Sequence, residues 1–230
     1  MSKHLERDIE LLEQSLLSLS AIVEEMIAKA WKSVVQNDKQ LAQEVVNKDA
    51  CVDDREVRIE EDCLKILALH QPVAIDLRRT ATILKVNNDL ERIADLAVNV
   101  AERGNRLASA TFQMPPVINT MAELAIKIVR DCLNAFVAMD VDNANQVCLA
   151  DDEIDRCHAE AVSALYLLMR QDAELIAPAI HALAVARHLE RIGDHATNIA
   201  EDVIYMVQGD IARHKHKSKD GNMLKDIDET

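Results

Sequence analysis

One segment of this chain occurs twice. Leu90–Glu102 and Leu189–Glu201 both read Leu-Glu-Arg-Ile-x-Asp-x-Ala-x-Asn-[Val/Ile]-Ala-Glu, 99 positions apart. Internal self-similarity at a fixed spacing marks a duplicated structural unit. The likeness extends further back, because Met26–Asp53 aligns with Ile128–Asp155 at an offset of 102. Asp38 then matches Asp140, Asp49 matches Asp151 and Asp53 matches Asp155. The change of offset, from 102 to 99, places a three-residue deletion between these two stretches, near a hairpin turn.

Periodicity sets the type of element. Ile9, Leu12, Leu16, Leu19, Val23, Met26, Ile27 and Ala30 recur every three or four residues, which is the period of one helical face. Similar patterns predict helices over about 5–36, 39–69, 73–107, 118–139, 143–170 and 172–208. Asp38 is placed to cap the second helix, and His70-Gln71-Pro72 to end it, since proline cannot continue a helical turn. Gly209 is a natural C-cap for the sixth. Only four glycines and four prolines in 230 residues agree with long helices and short connections, and argue against an all-β fold. The expected fold class is therefore all-α: six helices forming two tandem, pseudo-symmetric three-helix bundles. The first unit spans 1–109 and the second 110–209, with a flexible polar tail over 210–230.

Composition narrows the function. A net charge of −14 disfavours general nucleic-acid binding, which needs a cationic surface. No apolar run reaches the roughly 20 residues of a membrane span. The N-terminus does not read as a signal peptide. Five cysteines without Cys-x-x-Cys spacing read as reduced thiols of a cytosolic protein, packed as small hydrophobes.

The repeated stretch also carries a polar ridge. On a helix, with Leu90 as origin, Ile93, Ala94, Ala97 and Ala101 fall on one buried stripe. Glu91, Asp95 and Asn99 run along its edge. Carboxylates at i and i+4 repel each other, so something must compensate: arginine, solvent or a bound cation. The preceding helix bears a second such pair, Asp49 and Asp53. In an antiparallel hairpin folded near residue 72, Asp53 comes level with Glu91 and Asp49 with Asp95. A hairpin folded between 172 and 173 likewise matches Asp155 with Glu190 and Asp151 with Asp194. Each quartet of carboxylates suits a hard or borderline cation such as Mg²⁺, Ca²⁺, Mn²⁺ or iron. The bland reading is a solvated acidic face, with Arg92 and Arg191 as ion-pair partners of these acids.

Three stretches resemble a known family: Pro72–Arg78 (PVAIDLR), Asp89–Asp95 (DLERIAD) and His195–Asp202 (HATNIAED). Together with the duplicated acidic motifs, they are similar to the PhoU family of bacterial phosphate-uptake regulators, over about residues 5–209. The resemblance implies a six-helix fold of two similar bundles. It also implies metal ions held by Asp49, Asp53, Glu91 and Asp95, and by Asp151, Asp155, Glu190 and Asp194. These would be divalent or trivalent ions: iron, Mg, Mn or Zn. Asn99 and Asn198 extend the ridge. By the same resemblance the protein is cytoplasmic, dimerises, and is a negative regulator of the phosphate regulon and phosphate uptake. It would be an adaptor between the ATPase subunit of the phosphate ABC transporter and a phosphate-sensing histidine kinase. No catalytic site, nucleic-acid partner or membrane insertion is expected. The competing reading is a carboxylate-bridged di-metal enzyme or a metal-storage helical bundle. Such bundles typically use Glu-x-x-His pairs projecting into the core. The nearest approach to that pair here is Asp155-x-x-His158.

Overall fold

In the computed structural model, residues 3–107 and 112–209 are described. The expected tail over 210–230 and the boundary between the two units lie outside the described residues. Six α-helices follow in order: α1 (Lys3–Gln36), α2 (Lys39–His70), α3 (Ala74–Arg106), α4 (Pro116–Ala138), α5 (Val141–Gln171) and α6 (Ile176–Gln208). A short 3-10 turn, Ala173–Leu175, precedes α6 and starts the sixth helix a few residues later than periodicity alone places it. Among the described residues there is no strand.

The breaks between helices have local causes. Asn37 takes a left-handed backbone, φ 53°, and terminates α1. Asp38 then turns extended, and its carboxylate accepts hydrogen bonds from the Gln40 and Leu41 amides at 2.9 and 3.1 Å. That satisfies two of the donors a helix start leaves open. Met139 and Asp140 repeat the arrangement before α5, where Asp140 accepts from the Asn143 amide at 3.0 Å. Gln71 ends α2 in the left-handed region, ahead of Pro72. Gly209 closes α6 at φ 79°, its amide bonded to the Tyr205 carbonyl at 2.8 Å.

Within each unit the three helices pack on one another: α1, α2 and α3 in the first, α4, α5 and α6 in the second. The apolar stripe of α1 is the inner face of the first unit, and Ile9, Leu16, Leu19 and Val23 are fully enclosed. Burial of such side chains contributes about 1.5–3 kcal/mol each. Cys63 and Cys132 are enclosed too, and burial pushes the Cys63 thiol up to about 12, so both behave as small apolar groups. Leu90, Ile93, Ala94, Ala97 and Ala101 are all buried, as the wheel through the repeat requires.

The most extensive helix pair in the molecule is α3 with α6, which belong to different units. They run antiparallel, since Arg78 early in α3 donates to the Met206 carbonyl late in α6 at 3.1 Å. Midway, His195 Nδ1 meets Asp89 Oδ1 at 2.8 Å. The two repeat-bearing helices thus form the spine of one continuous core, and each carries a hairpin partner on its flank.

Candidate metal centres on the two hairpins

The α2–α3 hairpin brings the first quartet together. Asp49 and Glu91 are half-buried and Asp53 is exposed. Burial raises the Asp49 pKa, and the charges of Asp53 on the same helix and Asp95 across the hairpin raise it further. Glu91 is raised first by burial, then by Asp95; Arg92 opposes this, and Asp53 across the hairpin adds to it. The cross-helix pairs are those of a hairpin folded near residue 72: Asp49 opposite Asp95, and Asp53 opposite Glu91. Arg92 straddles the ridge, with Nε 3.4 Å from Glu91 Oε2 and Nη1 3.6 Å from Asp95 Oδ2. The contact to Asp95 is an exposed, imperfect pair of the kind that contributes under about 1 kcal/mol, and the longer-than-ideal contact to Glu91 is only partly exposed. Glu91 Oε2 is sealed from solvent and has no hydrogen-bond partner. Asn99 turns its amide back to the Asp95 carbonyl at 2.8 Å, so in this conformation it serves its own helix.

In the second quartet Asp194 stands across the hairpin from Asp151, as Asp95 does from Asp49, with different neighbours. Burial, followed by the charges of Asp194 across the hairpin and Asp155 on its own helix, pushes Asp151 up to about 7. The nearby Thr197 hydroxyl, which donates to the Gly193 carbonyl at 3.1 Å, pulls the other way. Gly193 explains the depth of this carboxylate. A Cβ at Gly193 would lie 2.9 Å from both Asp151 Oδ1 and Ile154 Cδ1, so glycine lets α5 press its acid against α6. The repeat places Ala94 at that position in the first unit. Glu190 Oε1 lies 3.7 Å from His158 Nδ1. Gly193 and Thr197 escape sequence reasoning because both fall at variable positions of the repeat. Only the contact across the hairpin gives them a role.

Both quartets therefore hold more negative charge than their neighbours neutralise, and both consist of oxygen donors on rigid helices. That donor set fits a hard or borderline cation. Among the described residues no three His, Cys, Asp or Glu side chains already converge tightly enough to hold an ion. Rotation of carboxylates about their own χ angles, on fixed helices, is the adjustment an ion would demand.

A single family model, the PhoU domain, matches this chain twice, over residues 16–104 and 118–203. The chain belongs to the PhoU family. The two matches coincide with the two helical units and contain all eight acids. The chain is 37% identical to the phosphate-specific transport system accessory protein PhoU homolog of Aquifex aeolicus, over 94% of this chain and 98% of that protein. It is 32% identical to the homolog of the same name from Rhizobium meliloti, over 89% of this chain and 87% of that protein. The crystal structure of PhoU from Pseudomonas aeruginosa superposes with a TM-score of 0.86 at 35% identity, covering 89% of this chain and 99% of that one. The phosphate transport system regulatory protein PhoU from Streptococcus pneumoniae gives a TM-score of 0.85 at 28% identity, covering 90% and 98%. The six-helix, two-unit PhoU fold expected from the resemblance is the fold observed. Among the described residues, no helix is long and apolar enough to cross a membrane.

Proposed function

We propose that this PhoU-family protein is a cytoplasmic, metal-binding negative regulator of phosphate uptake and of the phosphate regulon. It acts as an adaptor between the ATPase subunit of the phosphate transporter and the sensor histidine kinase, and it works as a homodimer. The observation that carries this reading is the repetition of one carboxylate quartet, at one register, on two pseudo-equivalent hairpins of a PhoU chain. The curated relatives bear the name of phosphate-specific transport accessory proteins, and one solved relative that of a regulatory protein, which supports the phosphate context.

Physically, two similar acidic faces on one rigid body offer contacts to two partners at once. The ions are held by Asp49, Asp53, Glu91 and Asp95 on one face and by Asp151, Asp155, Glu190 and Asp194 on the other. A bound ion relieves the mutual repulsion of its quartet and changes the charge that a partner meets. The different neighbours, Glu56 and Val98 at the first quartet where the repeat puts His158 and Thr197 at the second, give the two faces unequal affinity for ions.

Deletion of the gene, in a host with intact transporter and kinase, tests the regulatory role. Expression of phosphate-starvation genes should switch on in phosphate-rich medium. Expression that stays off, together with no binding of the purified protein to either partner, refutes the adaptor reading.

A further inference from the structure

The outer groove of the α5–α6 hairpin does not stop at its acids. Towards the hairpin tip, the ridge that carries Asp155 on α5 continues, in helical steps of three and four, through Val162 and Tyr166. The ridge that carries Glu190 on α6 continues through Leu183, Ile180 and Ile176. The register seen at Asp151 and Asp194 brings Tyr166 level with Ile180. Tyr166 is 58% exposed and Ile180 53%, and Val162 and Ile176 are exposed as well. Large apolar side chains gathered in one lane, with one of the chain's two tyrosines at the centre, are unlike apolar residues scattered singly over a surface. The first unit repeats the design: beyond Glu91, its groove is continued by half-buried Leu84 and by exposed Leu64 and Leu77.

We propose that each hairpin groove docks an amphipathic helix of a partner protein, apolar along its length and basic at the end that reaches the carboxylate quartet. The inference rests on the adaptor reading above and names the chemistry of what is adapted. Length and charge select this occupant. From Glu190 to Ile176 the lane runs about 21 Å at 1.5 Å per residue, the length of roughly four helical turns. A helix laid in such a groove anchors through side chains at i, i+3, i+4 and i+7. At the deep end the acids gather: Asp151, Asp152 and Asp155 on α5, with Glu190 and Asp194 on α6. While the quartet holds no ion, Arg187 and Arg191 on α6 leave that end negative, so complementarity in the metal-free state calls for lysine or arginine on the occupant. Tyr166 supplies a large, rigid anchor of the type that dominates interface energetics.

The test uses the full-length protein, freed of metal by a chelator, and a fluorescein-labelled, stapled peptide helix of about four turns. It carries leucines along one face and two arginines at one end. A matched peptide carries two glutamates at that end. Fluorescence anisotropy should show the arginine-ended peptide binding, and the glutamate-ended one at least about tenfold more weakly. The double substitution Tyr166→Ser with Ile180→Asp should weaken the arginine-ended peptide at least about tenfold. Both side chains are exposed, so melting temperature and metal content should not change. Equal affinity for the two peptides, indifference to the double substitution, or no binding at all overturns the proposal. Gene deletion without effect on the phosphate regulon, alongside intact peptide binding, instead overturns only the identity of the partners.

Discussion

Lys85 of α3 and Asp202 of α6 join the two units through a 2.7 Å contact between Nζ and Oδ1, with the Asp202 residue only 2% exposed. Lys85 Nζ also lies 5.4 Å from the centre of the Tyr205 ring. A buried carboxylate tolerates its loss of solvent only while a cation stays beside it. Lys85→Ala removes that partly exposed cation and should destabilise the protein by about 1–3 kcal/mol. The double substitution Lys85→Met with Asp202→Leu should recover most of the loss. Urea unfolding of the three proteins checks this, and a double variant no better than Lys85→Ala would contradict it.

Asp151 makes stability depend on pH. Its pKa is pushed up to about 7 in the folded chain, against 3.8 for an ordinary aspartate. The folded state therefore holds the proton more tightly than the unfolded state. The favourable contribution is complete below the unfolded pKa and is lost as pH rises towards 7. At one pKa unit per 1.36 kcal/mol, the difference amounts to at most about 4 kcal/mol. Asp151→Asn in chelator-treated protein should raise the melting temperature at pH 8 and leave it nearly unchanged at pH 4. A gain of equal size at both pH values would show that charge is not the cause.

Metal reverses that ordering. Mn²⁺ or Fe²⁺ added to chelator-treated parent protein should raise the melting temperature, by linkage of binding to folding. Glu91→Gln with Asp95→Asn should abolish the part of the rise due to the first site and lower the metal content of protein purified without an affinity tag. A parent protein that neither retains metal nor responds to it leaves the quartets as solvated acids.

At Gly104, α3 packs closely against Val34 of α1. A Cβ there would lie 2.5 Å from Val34 Cγ2 and 3.2 Å from Val34 Cα. The side-chain atom could move aside, but the backbone atom cannot do so cheaply. Gly104→Ala should cost about 1–3 kcal/mol despite alanine's better helix propensity. Thermal unfolding gives the sign directly, and a stabilised variant would refute the close-packing account.

The α2–α3 register was legible before any coordinates because the antiparallel hairpin has one free parameter, the position of its turn. Pro72 sets it, and Asp49, Asp53, Glu91 and Asp95 then fall opposite one another. The second hairpin was legible because it repeats the first. The seam between α3 and α6 was not. Asp89, Lys85, His195 and Asp202 look like ordinary surface residues on a helical wheel, and nothing in their spacing pairs residues more than a hundred positions apart. Nor could spacing show that Gly193 makes room for Asp151, since a lone glycine inside a helix reads simply as a weak helix former.

The sequence by itself determined the six helices, the caps at Asp38 and Gly209, the duplication and the placing of the acidic pairs on the two hairpins. Each depends on contacts near in sequence or on the repeat, so periodicity and turn chemistry suffice. Tertiary structure alone decided that the two repeat helices face each other as an antiparallel spine, and that Thr197 and His158 stand beside the second quartet. Those outcomes depend on side chains meeting across helices far apart in the chain. Such meetings are chosen by the fit of whole packed faces rather than by any local pattern.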